Sequence, residues 1–301
     1  MPHLVEFQPE HLEELSDFCN RNFEFHQGQF EPEILQKRIF GDPDHQLEHG
    51  FFLREGGKTV GVMVGVLRRN EGWIKLFAVD KAHRRFGFGS MMLAEIEDLF
   101  EVAGAEQIHV LNSSPYYLMP GLDVRYTGGL CFLQSRSYTL DHYVHNMEVD
   151  LTADDFDTAQ TESKLTRRGI KCRRLKREEE QEFRAWMQLT WSAGWTTEAC
   201  HSLKNTPVTT FIAIDADKNF CGFASYDVAM FRGGFGPTGV SERMRGLGLG
   251  KILFFRCLRD MKDRGYRRSE IGWVGPISFY AHTAGARICA TFMQGSRIII
   301  N

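Results

Sequence analysis

Val79-Asp80-Lys81-Ala82-His83-Arg84-Arg85-Phe86-Gly87-Phe88-Gly89 has a partner 161 positions later, Val240-Ser241-Glu242-Arg243-Met244-Arg245-Gly246-Leu247-Gly248-Leu249-Gly250. Both stretches read V-x-x-x-x-R-x-x-G-x-G. A repeat at just over half of 301 residues divides the chain into two similar domains in series.

The surroundings repeat as well. Before the first copy, 51–53, 59–67 and 73–79 read as strands, with a Glu55-Gly56-Gly57 turn. After it, Met92, Ile96, Leu99 and Phe100 recur at helical spacing, Gly104 ends the helix, and 108–111 reads as a strand. In the second half, 209–214, 221–230 and 234–240 read as strands. Ile252, Phe255, Leu258 and Met261 mark the helix, Gly265 stops it, and 270–274 is the next strand. Each half opens on a short strand (4–7; 170–175) and a charged amphipathic helix (9–22; 177–191). The polar, charged stretch 152–169 reads as a linker between domains at 1–151 and 170–301.

Composition narrows the class. Hydrophobic residues at 43% and charged residues at 25% are ordinary for a globular chain and exclude a disordered or fibrous one. A net charge of −3 gives no electrostatic reason to expect nucleic acid. No apolar run approaches the roughly 18 residues of a membrane span. Residues 1–17 lack the basic-then-apolar order of a secretory leader. The seven cysteines are scattered without a C-x-x-C pair, so neither a disulfide framework nor a zinc site is expected. A cytoplasmic protein with reduced thiols and no metal is the expectation.

A strand, a loop of closely spaced glycines and a helix together make a phosphate cradle. Small residues let the backbone approach the anion, and the first N–H groups of the helix point at it. The nucleotide loop G-x-x-x-x-G-K-[ST] does not fit. Arg245 stands five before Gly250, and Ile252 replaces the hydroxyl that would hold magnesium. The dinucleotide pattern G-x-G-x-x-G fails too, with Met92 and Lys251 at the last position.

With Arg84, Gly87 and Gly89, and again Arg245, Gly248 and Gly250, the chain resembles the GNAT acyltransferases, whose signature is [QR]-x-x-G-x-[GA] at this junction. The resemblance spans nearly the whole chain. It implies an α/β (α+β) fold of two tandem GNAT domains, each a mixed, mostly antiparallel sheet flanked by helices. It also implies acetyl-CoA as cofactor. The implied contacts are Val79, Arg84, Arg85, Phe86, Gly87, Phe88, Gly89 and Ser90 in the first half. In the second they are Val240, Arg245, Gly246, Leu247, Gly248, Leu249, Gly250 and Lys251.

In that family a tyrosine on a later helix often protonates the departing thiolate. Phe279-Tyr280 fits that place in the second half, though Ala281 and His282 depart from the family's Glu-Lys. In the first half Leu133 stands there, and leucine has no proton to give. The expectation is therefore chemistry in the second half, with Tyr280 as acid and Asp227 or Glu270 as base. The first half is expected to be diverged. Trp195 and Trp273 are candidate acceptor contacts, against the alternative that they are core aromatics.

The acceptor is expected to be a small molecule with a primary amine. The tandem arrangement resembles the bacterial two-domain glucosamine/glucosaminide N-acetyltransferases, which implies an amino sugar. Other small amines (amino-acid derivative, polyamine, antibiotic) and a non-catalytic acyl-CoA-binding module stay open.

Overall fold

The computed structural model describes residues 1–26, 28–228 and 231–299. Residues 229–230, the end of the strand read at 221–230, lie outside the described residues. Among the described residues the chain forms two compact units, one of residues 1–144 and 291–299, the other of residues 145–290.

The first unit runs β1 (His3–Glu6), α1 (Leu12–Asn22), α2 (Pro32–Leu35), β2 (Gly50–Glu55), β3 (Lys58–Arg68), β4 (Glu71–Val79), α3 (Phe88–Val102), β5 (Gln107–Val110), β6 (Leu122–Asp123) and α4 (Thr127–Gln134). Strand β7 (Thr139–Asp150) begins in it. The sheet order β1-β2-β3-β4 is antiparallel, and β5 lies parallel to β4. The strand beside β5 comes from far along the chain. It is the later part of β13 (Arg287–Ile298), antiparallel, with Ser296 opposite His109.

The second unit takes the end of β7, then α5 (Ala159–Thr166), β8 (Lys171–Arg174), α6 (Glu180–Thr190), α7 (Ala193–His201), β9 (Thr210–Ile214), β10 (Phe220–Tyr226), β11 (Gly234–Val240), α8 (Leu249–Asp263), β12 (Arg268–Ile271) and α9 (Ile277–Ala284). Strands β8-β9-β10-β11 are antiparallel, β12 lies parallel to β11, and β7 pairs with β12 from Arg268↔Asp150 to Ile271↔Met147.

The stretch read as a linker at 152–169 is therefore structured. Helix α5 occupies its middle, and Phe156 and Leu165 are buried in the second unit's core. Its polar composition hid a single apolar face, which the Glu162–Arg256 ion pair at 2.5 Å fastens to α8. The units also divide at 144/145 and 290/291 rather than in that stretch.

Glycines set how closely α3 approaches the sheet. A side-chain carbon on Gly72 of β4 would stand 2.5 Å from the Phe100 ring, and one on Gly61 of β3 would stand 2.6 Å from Met92. The second unit repeats the device 161 positions on, where a carbon on Gly222 would meet Leu253 at 3.1 Å. Gly72→Ala is expected to overpack this contact and cost about 1–3 kcal/mol. Urea unfolding would measure it, and an unchanged midpoint would mean that the ring moves aside freely.

Candidate cofactor and active site

Each parallel pair opens like a V. Pairing of β4 with β5 ends at Ile74↔Val110, closed by the Leu111 N–H donating to the Ile74 carbonyl at 2.8 Å. Pairing of β11 with β12 ends at Phe235↔Ile271, both residues 161 positions further on. A bulge follows at once. Opposite β3 the register shifts between Ile74 and Leu76, leaving Lys75 as the extra residue. Opposite β10 it shifts between Phe235 and Thr238, at Gly236-Pro237. A bulge twists its strand away from the neighbour, so the ends of β4 and β11 leave their partners there.

In the first unit the opening is a cavity of about 980 Å³. Phe77, Ala78 and Val79 form one wall, Val110 and Leu111 the other. Tyr126, Gly129 and Phe132 from α4 and its cap close a side, and Asn22, Phe23 and Glu24 at the end of α1 form another. At one end lies the glycine loop. Gly87 (φ 88°) caps α3 in the left-handed region, where glycine bears no side-chain penalty. Arg85 shares that region at φ 72°. A carbon built on Gly87 would meet nothing within 4 Å, so the first turn of α3 is accessible. Arg84, Arg85, Arg125 and Arg136 all line the cavity. Arg84 is steadied by donating to the carbonyls of Val79 at 3.2 Å and Asn22 at 3.4 Å, and Arg136 donates to Ser90 Oγ at 2.5 Å. Positive groups at a helix N-terminus suit a pyrophosphate.

The second unit has the same backbone and different filling. Gly248 (φ 83°) caps α8 as Gly87 caps α3. A carbon on it would stand 3.3 Å from Thr161 Cγ2, because α5 lies against the loop. Gly239 occupies the place of Ala78, and a carbon there would stand 2.5 Å from the Trp191 ring. Trp191 belongs to an aromatic cluster with Trp186, Trp195 and Phe223. The positions of Arg85 and Ser90 carry Gly246 and Lys251, and Lys251 Nζ lies 4.9 Å from the Phe255 ring centre.

The two later helices are also equivalent. Phe132 faces Gly89 as Phe279 faces Gly250, which puts Leu133 and Tyr280 at one place in their halves, now 147 positions apart. The shortened interval reflects the longer connection 111–125. Tyr280 is 5% exposed, with its ring edge-on to Phe235, Phe254 and Phe279. Burial pushes its pKa up. The two carboxylates read as bases have structural partners. Asp227, at φ 54°, accepts from the Gly233 N–H at 2.6 Å and the Tyr266 hydroxyl at 2.7 Å. Glu270 accepts from Asn146 Nδ2 at 2.7 Å. Trp195 lies inside α7, with Ser192 as the N-cap of that helix. Trp273, at φ 46°, follows β12, and its N–H donates to Asn146 Oδ1. Asp227 and Glu270 are thus held by different structural partners.

Three first-unit features escaped the sequence reading. Tyr126 sits on the cavity wall. His26 and Asp123 form a buried pair at 3.1 Å. Burial alone would raise the Asp123 carboxyl, but hydrogen bonds from His26 and Arg125 hold it well below the carboxylate range. Lys75 is wholly buried against Asp42.

The model of the acetyltransferase (GNAT) family matches residues 10–116 and again residues 175–283. The chain belongs to the GNAT acetyltransferase family. A comparison with curated proteins finds no match. Among solved structures, the chain resembles a fungal GCN5-related glucosamine N-acetyltransferase region within a multi-domain β-N-acetylglucosaminidase. The TM-score is 0.78 at 17% identity, over 98% of this chain and 38% of that one. The GNAT chain thus spans well under half of that protein. A GCN5-related N-acetyltransferase from Sphaerobacter thermophilus gives a TM-score of 0.74 at 14% identity, over 100% and 96% of the two chains. A tandem GNAT protein from the clavulanic acid biosynthesis pathway gives 0.70 at 15%, over 99% and 98%. At these identities the likeness concerns the fold, and it covers both GNAT domains.

Proposed function

We propose that the first unit binds acetyl-CoA and passes the acetyl group to the primary amine of a small acceptor. The observation that carries this reading is the open cavity beside Gly87, set against Thr161 and Trp191 at the equivalent places of the second unit. This reading puts the chemistry in the other half from the one that the sequence favoured for it.

The residues present fit the cofactor. The amides of the first turn of α3, with Arg84, Arg85 and Arg136, would face the phosphates. The free edge of Phe77–Val79, beyond the end of β4–β5 pairing, would take the pantetheine arm as an added strand. When bound, acetyl-CoA supplies an activated thioester carbonyl. The chain's own task is then to orient that carbonyl, exclude water and admit a neutral amine. The wall of Asn22–Glu24 faces the same space and would flank the acceptor.

Glucosamine is the first acceptor to try, because the fungal relative is described by that reaction. Amino-acid derivatives, polyamines and amine antibiotics complete the panel. Expected are saturable coenzyme A binding with one site per chain and amine-dependent release of thiol from acetyl-CoA. Binding without thiol release for any amine would favour a non-catalytic acyl-CoA-binding module. Two cofactor sites per chain would reject the division between the units.

A further inference from the structure

Leu133 leaves the first unit without a proton donor at the place where the family resemblance puts one, yet the same cavity holds another. Tyr126 caps α4, seven residues before Leu133. Both residues line the same cavity. The Tyr126 ring is held by Phe23, edge-on at 5.9 Å between centres, and by Phe25 at 5.0 Å.

The hydroxyl is held as well. The Phe25 N–H donates to the Tyr126 oxygen at 3.2 Å. A phenol oxygen that accepts there keeps its own proton for a second partner. The connection that supplies Phe25 is fixed next door. His26 Nε2 lies 3.1 Å from Asp123 Oδ2, and His26 Nδ1 lies 3.1 Å from Gln29 Oε1. Arg125 Nε donates to both Asp123 oxygens, at 2.9 and 3.1 Å. The Tyr126 oxygen is thus anchored to backbone rather than free to swing.

We infer that Tyr126 gives its phenolic proton to the sulfur of the coenzyme A leaving group in the first unit. This rests on the reading that the cavity holds acetyl-CoA. In the step, the amine nitrogen bonds to the acetyl carbon. The carbon–sulfur bond breaks, its electron pair goes to sulfur, and sulfur takes the phenolic proton. The phenolate then regains from water a proton equivalent to the one the amine loses. Burial pushes the Tyr126 phenol up to about 12 against the Phe25 N–H, which lowers it, so the proton is in place at neutral pH.

Titration of the bound coenzyme A thiol tests this without any acceptor. Thiolate absorption is followed in the ultraviolet, with desulfo-coenzyme A as the blank. A hydroxyl donating to sulfur stabilises the thiolate. The bound thiol is therefore expected to ionise about one pH unit lower in the wild type than in Tyr126→Phe. The variant keeps the ring, so its coenzyme A Kd should stay within about twofold, while kcat with an active amine falls by about 100-fold. Equal thiol titrations in the two proteins would overturn the inference even if the variant were slower. A wild type without saturable coenzyme A binding would overturn the cavity reading and this inference together, and the binding isotherm tells the two failures apart.

Discussion

Gly89→Glu is expected to weaken coenzyme A binding by at least about 100-fold, or about 2.7 kcal/mol, whereas Gly250→Glu changes it by less than about threefold. Both glycines hold the second position of their helices. A first side-chain carbon fits at each, at 3.5 Å from Phe77 and 3.7 Å from Phe279. A glutamate in a helix's first turn is favourable to the helix itself, so neither substitution should unfold its unit. What differs is the anion. In the first unit the new carboxylate would stand among Arg84, Arg85 and Arg136, where the phosphates are proposed to lie. Like charges brought together in an interface cost several kcal/mol. In the second unit Thr161 and Trp191 already cover the equivalent places, so the carboxylate repels nothing. Calorimetric titration of both variants reads the comparison. A loss confined to Gly250→Glu would return the cofactor to the second unit.

Asp42→Ala is expected to destabilise the protein by about 3–5 kcal/mol, the usual cost of leaving one partner of a buried ion pair alone. Lys75, the bulge residue of β4, is 0% exposed. Its ammonium donates to the Arg38 carbonyl at 2.6 Å and meets Asp42 Oδ2 at 2.5 Å. Arg68 reaches the same oxygen at 2.6 Å. Without the carboxylate, the buried Lys75 ammonium loses its anion, while Arg68 keeps Asp44 at 2.9 Å. Urea unfolding checks the magnitude, and a loss under about 1 kcal/mol would give the pair only the worth of a surface one.

The pH dependence has a definite sign. Burial holds the Lys75 pKa down to about 8 from the ordinary 10.5, with Asp42 partly opposing. Between those values the unfolded chain binds more protons than the native one. The contribution of Lys75 to stability therefore rises with pH across that window. Below about pH 8 its charge is a constant cost, and above 10.5 that cost is gone. In Lys75→Met the rise should vanish from stability measured at pH 7 and at pH 10.

The repeat was legible because it lives in local pattern. One interval of 161 relates the arginines and glycines of the loops, the ends of the parallel pairing and the bulges. The positional match of Leu133 with Tyr280 follows from the same logic. What each half does with its groove was not legible. Trp191 is an aromatic near the end of a helix, and nothing local says whether its ring fills a groove or lines one. The stretch 152–169 looked like a linker because Phe156 and, within α5, Leu165 are its large buried apolar residues. Tyr126 belongs to no pattern. Its importance comes from the Phe25 N–H, 101 positions away in sequence. The Lys75 bulge is invisible for a related reason, since a bulge belongs to the pairing of two strands and not to either alone.

The placement of β13 beside β5 has a consequence during synthesis. About 180 residues separate the two strands. At ribosomal rates of about 5–20 residues per second, β5 emerges roughly ten to forty seconds before its neighbour exists. For that time it presents an unpaired strand edge, the kind that recruits other chains. The first unit is thus first to be made and cannot be first to be finished. A chaperone that shields the nascent edge should raise the yield of native protein more than one that acts after release.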